Sequence, residues 1–260
     1  MNVATIPSER HGRIRASVAV AMGLLLLAVP ITYATTFGSA IRITTNTGWS
    51  RDPSVVVFWN YVYVAWQDDT PVSGSGDKSE IWMRVSSNNG GSFGSPIRIS
   101  TNTGQSLAPS VAVTVNDVCV AWQDDTPVSG SGSNPEIWMR VSSNYGASFG
   151  SAIRISTNTY TSEYPSVAMD GYGHVYVAWA DWTPVTGSWD QPEIWMRVGS
   201  SYGASFVSPI RISTNTHTSE YPSVATDGSG HVYVAWQDDT PVSGSGTASE
   251  IWMRVSGNYG

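Results

Sequence analysis

Short runs of alternating apolar and polar positions, bounded by Gly, Pro, Asn and Ser, recur along the chain after residue 40. A period of two is typical of β-strands, and the alternation is clearest in Val175–Trp179. Asp170–Gly173 is a tight hairpin signal. The stretch around it predicts four strands, at Pro165–Met169, His174–Ala180, Glu193–Val198 and Pro209–Ser213.

The same pattern occurs four times, in repeats of about 41–96, 97–152, 153–209 and 210–260. Ile41-Arg42-Ile43 recurs at Ile97, Ile153 and Ile210, at spacings of 56 or 57 residues. Val64-Ala65-Trp66 and Glu80-Ile81-Trp82-Met83-Arg84 recur with it. Tandem units of four antiparallel strands are typical of propeller blades.

These repeats predict an all-β fold, a β-propeller of four four-stranded antiparallel blades over residues 35–260. The last repeat stops at Gly260, before its fourth strand, and Ile41-Arg42-Ile43 has the sequence of that strand. We therefore expect the N-terminal strand to complete the last blade and close the ring, which would hide two sheet edges. The alternative is that the chain is a piece of a larger propeller.

The N-terminus has the features of a signal peptide. Arg10, Arg13 and Arg15 precede an apolar run that ends near Ala34, so residues 1–34 are expected to be removed on export to the cell surface or medium. An uncleaved membrane anchor is the alternative, and Pro30 and the short apolar core disfavour it. Cleavage changes the net charge from −7 to −9, which argues against nucleic acid or anionic lipid as partners. The single cysteine, Cys119, excludes an intrachain disulfide.

The segment after the third strand resembles the Asp box, or bacterial neuraminidase repeat (BNR), of sialidases. The family pattern Ser-x-Asp-x-Gly-x-Thr-Trp is matched, with conservative departures, by Ser86-x-Asn88-x-Gly90-x-Ser92-Phe93 and by its copy from Ser142 to Phe149. The third copy departs further, with Gly199 and Ser201 at the Ser and Asp positions. The resemblance implies a sialidase-like propeller in which these segments are folding parts, since Asn can hold a turn by bonding its own backbone.

Sialidase activity, which the resemblance would allow, requires three arginines on the substrate carboxylate, a Tyr nucleophile activated by Glu, and an acid/base Asp. Eight of the nine arginines after residue 34 are repeat positions on the third and fourth strands, and the family's Arg-Ile-Pro motif is absent. Only Arg51 is placed for the face where propellers usually bind ligands. No catalytic residue is therefore assigned.

On that face the fourth-to-first connections and the second-to-third loops bring carboxylates and aromatic rings together. Such groups can stack on sugars and accept hydroxyl protons, and oxygen ligands can hold a divalent cation. Carboxylates that cap turns and keep the rim soluble are the structural alternative, above all for the repeated Asp pairs. The candidate ligand-binding residues are Arg51, Asp52, Asp69, Asp125, Glu163, Tyr164, Asp181, Trp182, Trp189, Glu220, Tyr221 and Asp239.

The near-identical copies favour several equivalent weak sites over one catalytic constellation. The leading hypothesis is an exported, non-catalytic, monomeric propeller that binds a glycan or another cell-surface ligand, with no required cofactor, although calcium is possible. A divergent sialidase-like glycoside hydrolase is the second hypothesis, and a structural module of a cell-surface assembly is the third. The four histidines have no partner at metal or catalytic spacing, so no metal site is assigned.

Overall fold

The computed structural model describes residues 37–74, 76–186, 191–244, 246 and 248–260. The expected signal peptide and the candidate residue Trp189 lie outside these residues. The all-β prediction is confirmed, since the described chain forms four antiparallel sheets and its one helical segment is the short 3₁₀ turn Ser201–Gly203. No helix in the described residues is long and apolar enough to cross a membrane.

The strands follow the repeats, and in each sheet the first strand pairs with the second and the second with the third. Sheet 1 contains β1 (Ser50–Phe58), β2 (Tyr61–Asp68), β3 (Glu80–Ser86) and β4 (Ile97–Arg98). Sheet 2 contains β5 (Ser106–Thr114), β6 (Asp117–Asp124), β7 (Glu136–Ser142) and β8 (Ile153–Arg154). Sheet 3 contains β9 (Ser162–Met169), β10 (Val175–Asp181), β11 (Glu193–Ser200), β12 (Ser205–Phe206) and β13 (Ile210–Arg211). Sheet 4 contains β14 (Ser219–Thr226), β15 (Val232–Asp238) and β16 (Glu250–Ser256).

The fourth strand of sheet 3 is shorter than the predicted Pro209–Ser213. In sheet 3 the regular ladder covers only Ile210 and Arg211. The next two amides, of Ile212 and Ser213, both donate to the carbonyl of Ile194, at 2.7 and 3.3 Å. Two donors on one acceptor break the alternation of an antiparallel ladder, so the strand ends there although its sequence pattern continues.

The outer strand is fixed to the third strand by a buried ion pair. Glu136 is fully buried at the start of β7, and one of its oxygens lies 2.5 Å from the guanidinium of Arg154. Its other oxygen accepts a hydrogen bond from Ser156, whose hydroxyl in turn accepts from the amide of Ile137 at 2.7 Å. Sheets 1 and 3 repeat this arrangement, so the outer-strand arginines belong to the framework.

The turns that follow the third strands are held by side chains. Asn88 accepts a hydrogen bond from the amide of Ser92 at 2.9 Å, and the hydroxyl of Ser86 accepts one from the amide of Gly90 at 3.0 Å. The second copy has the same bonds. These contacts supply the local folding role that the sequence predicts for the segment.

The core lies between consecutive sheets. The first strands pack in the series β1, β5, β9 and β14, and each interface also contains the second strand of the earlier sheet and that of the later one. No comparable packing joins β14 to β1 in the described chain.

The predicted ring closure is not confirmed. Sheet 4 has three strands, and residues 41–43 form no strand. On β16 the side chain of Met253 is 59% exposed, whereas Met83 and Met139 at the same repeat position are fully buried. In the described chain no sheet therefore covers this face of β16, as a closed ring would require.

Candidate functional site

The candidate face is built on one backbone irregularity that occurs in every first strand. The register against the second strand shifts between Arg51 and Ser54, and at the same place in the other sheets. The residue inside the shift is left-handed although it is not glycine, with φ of 49° at Asp52, 51° at Ala108, 55° at Tyr164 and 54° at Tyr221. Such bulges redirect a side chain, and a costly conformation repeated at a loop-facing edge is typical of ligand-binding regions.

A glutamine from the preceding sheet holds this backbone in two of the sheets. The side-chain oxygen of Gln67 accepts from the amide of Ala108 at 2.9 Å, and that of Gln123 accepts from the amide of Tyr164 at 3.0 Å. Sheet 3 has Ala180 at the glutamine position, so the amide of Tyr221 has no such acceptor. The last bulge is therefore the least restrained of the three that follow another sheet.

Six of the candidate residues come together where sheets 3 and 4 meet, and we call this set the tyrosine–carboxylate cluster. The rings of Tyr164 and Tyr221 lie with centroids 4.6 Å apart and planes inclined at 43°. Trp182 lies close enough to Glu163 to act on the pKa of that carboxylate. The other two members are Glu220, beside Tyr221 in the chain, and Asp239, whose amide donates to Thr218 O at 3.0 Å. The cluster consists of Glu163, Tyr164, Trp182, Glu220, Tyr221 and Asp239.

Electrostatics within the cluster favour neutral groups. Burial raises the pKa of Glu163, against the hydrogen bond from Trp182, which lowers it. Burial, and then the charges of Asp239 and Glu163, raise the pKa of Glu220. Burial and the hydrogen bond with Tyr221 raise the pKa of Tyr164 to about 12. Carboxylates that share a half-buried space without a cation are stabilised when they accept hydrogen bonds from hydroxyl groups or when a positive charge approaches them.

The first members of the Asp pairs are structural. Asp181 is 1% exposed and accepts from Trp179 Nε1 at 2.7 Å, from the amide of Thr183 at 2.9 Å and from the hydroxyl of Ser162 at 2.9 Å. Asp68, Asp124 and Asp238 have the same partners in their own sheets. Among the candidates, Asp181 thus corresponds to these buried residues, and Trp182 takes the place of the second Asp.

The remaining candidates lie in sheets 1 and 2, away from the cluster. A guanidinium nitrogen of Arg51 lies 3.9 Å from a carboxylate oxygen of Asp69, and its centre lies 4.4 Å from the ring centroid of Trp49. Asp125 accepts a hydrogen bond from the amide of Gln105, and Asp52 is exposed. The structure therefore divides the predicted residues into one dense cluster and two sparser copies.

A depression beside Asp239 adds residues that the sequence analysis did not select. It has a volume of about 560 Å³ and is lined by Gln191, Thr216, His217, Thr218 and Asp239. The hydroxyl of Thr218 donates to Gln191 Oε1 at 2.6 Å. A sequence signal was present, because His217 and Tyr160 replace the glycines Gly48 and Gly104 of the first two repeats.

Steric crowding explains why the first two repeats have glycine at this position. A Cβ on Gly104 would lie 2.2 Å from the amide nitrogen of Thr126, so the loop passes too close for a side chain. Repeats 3 and 4, which carry side chains at that position, must route the loop differently. The departure from the repeat occurs in the same two sheets as the tyrosine–carboxylate cluster.

Within the described residues no three His, Cys, Asp or Glu side chains are grouped so that they hold a metal ion. His174 and His231 each lie 2.7 Å from a carboxylate at the hairpin between the first and second strands, at the other end of those strands.

The four sheets are similar to propeller glycosidases. A Trypanosoma rangeli sialidase solved with sialic acid superimposes with a TM-score of 0.52 at 12% identity, over 78% of this chain and 37% of that one. A Penicillium chrysogenum α-L-arabinanase complexed with arabinobiose gives 0.53 at 13% identity, over 80% of this chain and 57% of that one. The chain thus spans less than two thirds of either protein. At these identities the likeness establishes a propeller-type fold, as the Asp-box resemblance implied.

No protein-family profile matches the sequence, and a search of curated proteins finds no match to it.

Proposed function

We propose that this protein is an exported, non-catalytic propeller that binds a glycan or another cell-surface ligand through the tyrosine–carboxylate cluster. The observation that carries the proposal is the meeting of two tyrosine rings, one tryptophan and three carboxylates at the junction of sheets 3 and 4. Aromatic faces stack on the apolar faces of sugar rings, and carboxylates accept the hydrogen bonds of sugar hydroxyls.

The arginines support binding rather than turnover. Arg98, Arg154 and Arg211 form ion pairs with buried glutamates, and Arg140 and Arg197 donate to backbone carbonyls of the preceding sheet. These side chains are committed to the framework. Arg51 is the arginine that remains near the candidate face, and it lies in sheet 1.

Glycan-array screening followed by calorimetry on the purified protein, with and without calcium, tests this proposal. We expect Tyr221→Ala to reduce affinity at least tenfold, because one side of the stacking surface is lost. Tyr172→Ala is the matched control, since Tyr172 is an exposed tyrosine in the hairpin between β9 and β10. Equal affinity of the two variants would contradict the assignment of the cluster.

Glycoside hydrolysis is the second candidate, and the fold shared with a sialidase and an arabinanase favours it. Turnover of a fluorogenic sialoside or arabinoside would support it. For a sialoside the activity should disappear in Arg51→Ala, because a guanidinium is needed to hold the substrate carboxylate. If the protein binds its ligand but turns over neither substrate, the result would exclude hydrolysis of these substrates and support the binding function.

A further inference from the structure

The start of β6 carries two replacements relative to the other repeats. Asp117 takes the position of Tyr61 in repeat 1 and of His174 in repeat 3. Cys119 takes the position of Tyr63 in repeat 1. Each replacement exchanges a ring for a smaller side chain, and both lie at the hairpin end of sheet 2. The junction of sheets 2 and 3 therefore lacks two rings that the junction of sheets 1 and 2 contains.

At the neighbouring junctions a contact between two rings fills this region. Tyr61 stacks on Tyr145, which lies in the turn after the third strand of the next sheet, with centroids 4.9 Å apart. His174 lies against Tyr259 in the same way, at 4.7 Å. At the junction of sheets 2 and 3 the corresponding turn residue is Tyr202, and no ring occupies the position of its partner.

The missing rings coincide with an open cleft. A Cβ on Gly146 would lie 3.2 Å from the ring of Tyr63, so that ring reaches the turn of the next sheet. At the equivalent Gly203 the near neighbours from the preceding sheet are Met139 and Val141, which are not aromatic. A cleft of about 660 Å³ lies there, and we call it the Asp117 cleft. Its polar lining consists of Asp117, Ser143, Ser148, Ser151, Ser201 and Tyr202.

The carboxylate of Asp117 is buried and unpaired. Asp117 is 7% exposed, and within the part of the chain that the structure describes its side chain has no hydrogen-bond or ion-pair partner. Burial raises the pKa of this carboxyl group. Asp124, at the other end of the same strand, accepts four hydrogen bonds instead. Because a buried carboxylate without a partner is costly, its position in an open cleft indicates a site for a cation from outside the chain.

The lining of the cleft favours an organic ammonium over a metal ion. Calcium takes about six to eight oxygen ligands, usually from several carboxylates, and Asp117 is the one carboxylate in the lining. An ammonium group needs one carboxylate, because its other donors are satisfied by hydroxyl oxygens and its charge is stabilised by the face of an aromatic ring. The lining residues supply these groups, and none of them is a lysine or an arginine that would compete for the carboxylate.

We propose that the Asp117 cleft binds the ammonium group of a small organic amine, either an alkylamine or an amino sugar. The carboxylate of Asp117 forms the ion pair, and the ring of Tyr202 packs against the ammonium group. The exposed hydroxyls of Ser143 and Ser151 accept its remaining hydrogen bonds. This site lies at the hairpin end of the strands, whereas the tyrosine–carboxylate cluster lies at their other end, so it is independent of the function proposed above.

Calorimetry and thermal unfolding of the purified chain test the proposal, with butylamine and glucosamine as probes. Butanol and glucose are the uncharged analogues. We expect one or both amines to bind and to raise the unfolding temperature, and the uncharged analogues to do neither. Asp117→Asn should lower the affinity for the amine at least tenfold, because the ion pair is lost while the shape of the side chain is kept. Asp77→Asn, at an exposed carboxylate between β2 and β3, is the matched control and should bind as the wild type does.

A second variant separates the cleft from the charge. Asp117→Tyr introduces the residue that repeat 1 has at this position, so it should close the cleft and abolish amine binding in a chain that circular dichroism shows to be folded. Tighter binding of butylamine or of glucosamine identifies which kind of amine the cleft prefers.

Four results would overturn the proposal. The first is that neither amine binds the wild type at millimolar concentration. The second is that an uncharged analogue binds as tightly as its amine. The third is that Asp117→Asn or a folded Asp117→Tyr binds the amine with unchanged affinity. The fourth is that binding survives in Asp117→Asn but is lost in Glu220→Gln, which would place the amine at the tyrosine–carboxylate cluster.

Discussion

Asp124 and Asp125 are adjacent carboxylates with opposite roles, and the same substitution in each should separate them. Asp124 is fully buried and accepts from Trp122 Nε1 at 3.0 Å, from the amide of Thr126 at 2.9 Å, and from Ser106 and Asn102. Asp125 is half-buried and accepts from the amide of Gln105. We expect Asp124→Asn to destabilise the fold strongly and Asp125→Asn to leave it nearly unchanged.

The magnitude follows from how the donors are shared between the two oxygens. Trp122, Ser106 and Asn102 converge on Oδ2, and Thr126 bonds Oδ1. An asparagine that keeps its oxygen towards the first three turns its amide group towards the Thr126 amide and loses that bond, which costs about 2 kcal/mol. Weakening of the other three bonds, partly offset by removal of a buried charge, brings the total to about 3 kcal/mol.

Equilibrium unfolding in urea, followed by tryptophan fluorescence, measures the difference. With an m-value of about 3 kcal/mol per molar, a loss of 3 kcal/mol lowers the midpoint by about 1 M. Asp125→Asn should stay within about 0.5 kcal/mol of the wild type, as most surface substitutions do. Equal midpoints for the two variants would refute the structural role assigned to the buried member of each pair.

Two other predictions concern pH and glycine. Burial acts to raise the pKa of Asp238, but hydrogen bonds from Thr240 and its other neighbours lower it below its usual value; its contribution to stability is therefore present above about pH 4 and lost as the pH falls through the folded-state pKa. Acid titration of unfolding should show a smaller pH dependence in Asp238→Asn than in the wild type. Gly146→Ala should cost about 1 kcal/mol more than Gly130→Ala in thermal unfolding, because both glycines are left-handed but only at Gly146 would a Cβ meet Met83 Cε, at 3.1 Å. Equal losses would show that backbone conformation alone sets the cost.

The repeat pattern predicted the strands well because each depends on local alternation and turn residues. The first three strands of the third repeat occur at Ser162–Met169, Val175–Asp181 and Glu193–Ser200, close to their predicted bounds. The fourth strand is shorter because Ile212 and Ser213 share one acceptor, which no sequence pattern reports.

The candidate site was predictable in composition but not in geometry. The sequence showed that Glu163-Tyr164 and Glu220-Tyr221 occupy equivalent positions in repeats 3 and 4. It did not show that the two tyrosine rings meet across the sheet junction, since that contact depends on the left-handed bulge and on the angle between sheets.

Closure was the least predictable feature, because it is a long-range property. Ile41-Arg42-Ile43 has the sequence of an outer strand, but sequence alone does not say which copy of the repeat it joins. Each sheet is specified by its own residues, whereas the number of sheets in a ring depends on small angles accumulated over several interfaces.

The left-handed position in the first strands carries Asp52, Ala108, Tyr164 and Tyr221 on nearly the same backbone. Three different side chains are thus displayed at four equivalent points without disturbing the strand pairing beneath them. Selection, or a protein engineer, is free to alter recognition at one residue per repeat, because the side chain at this position can change while the strand pairing stays the same.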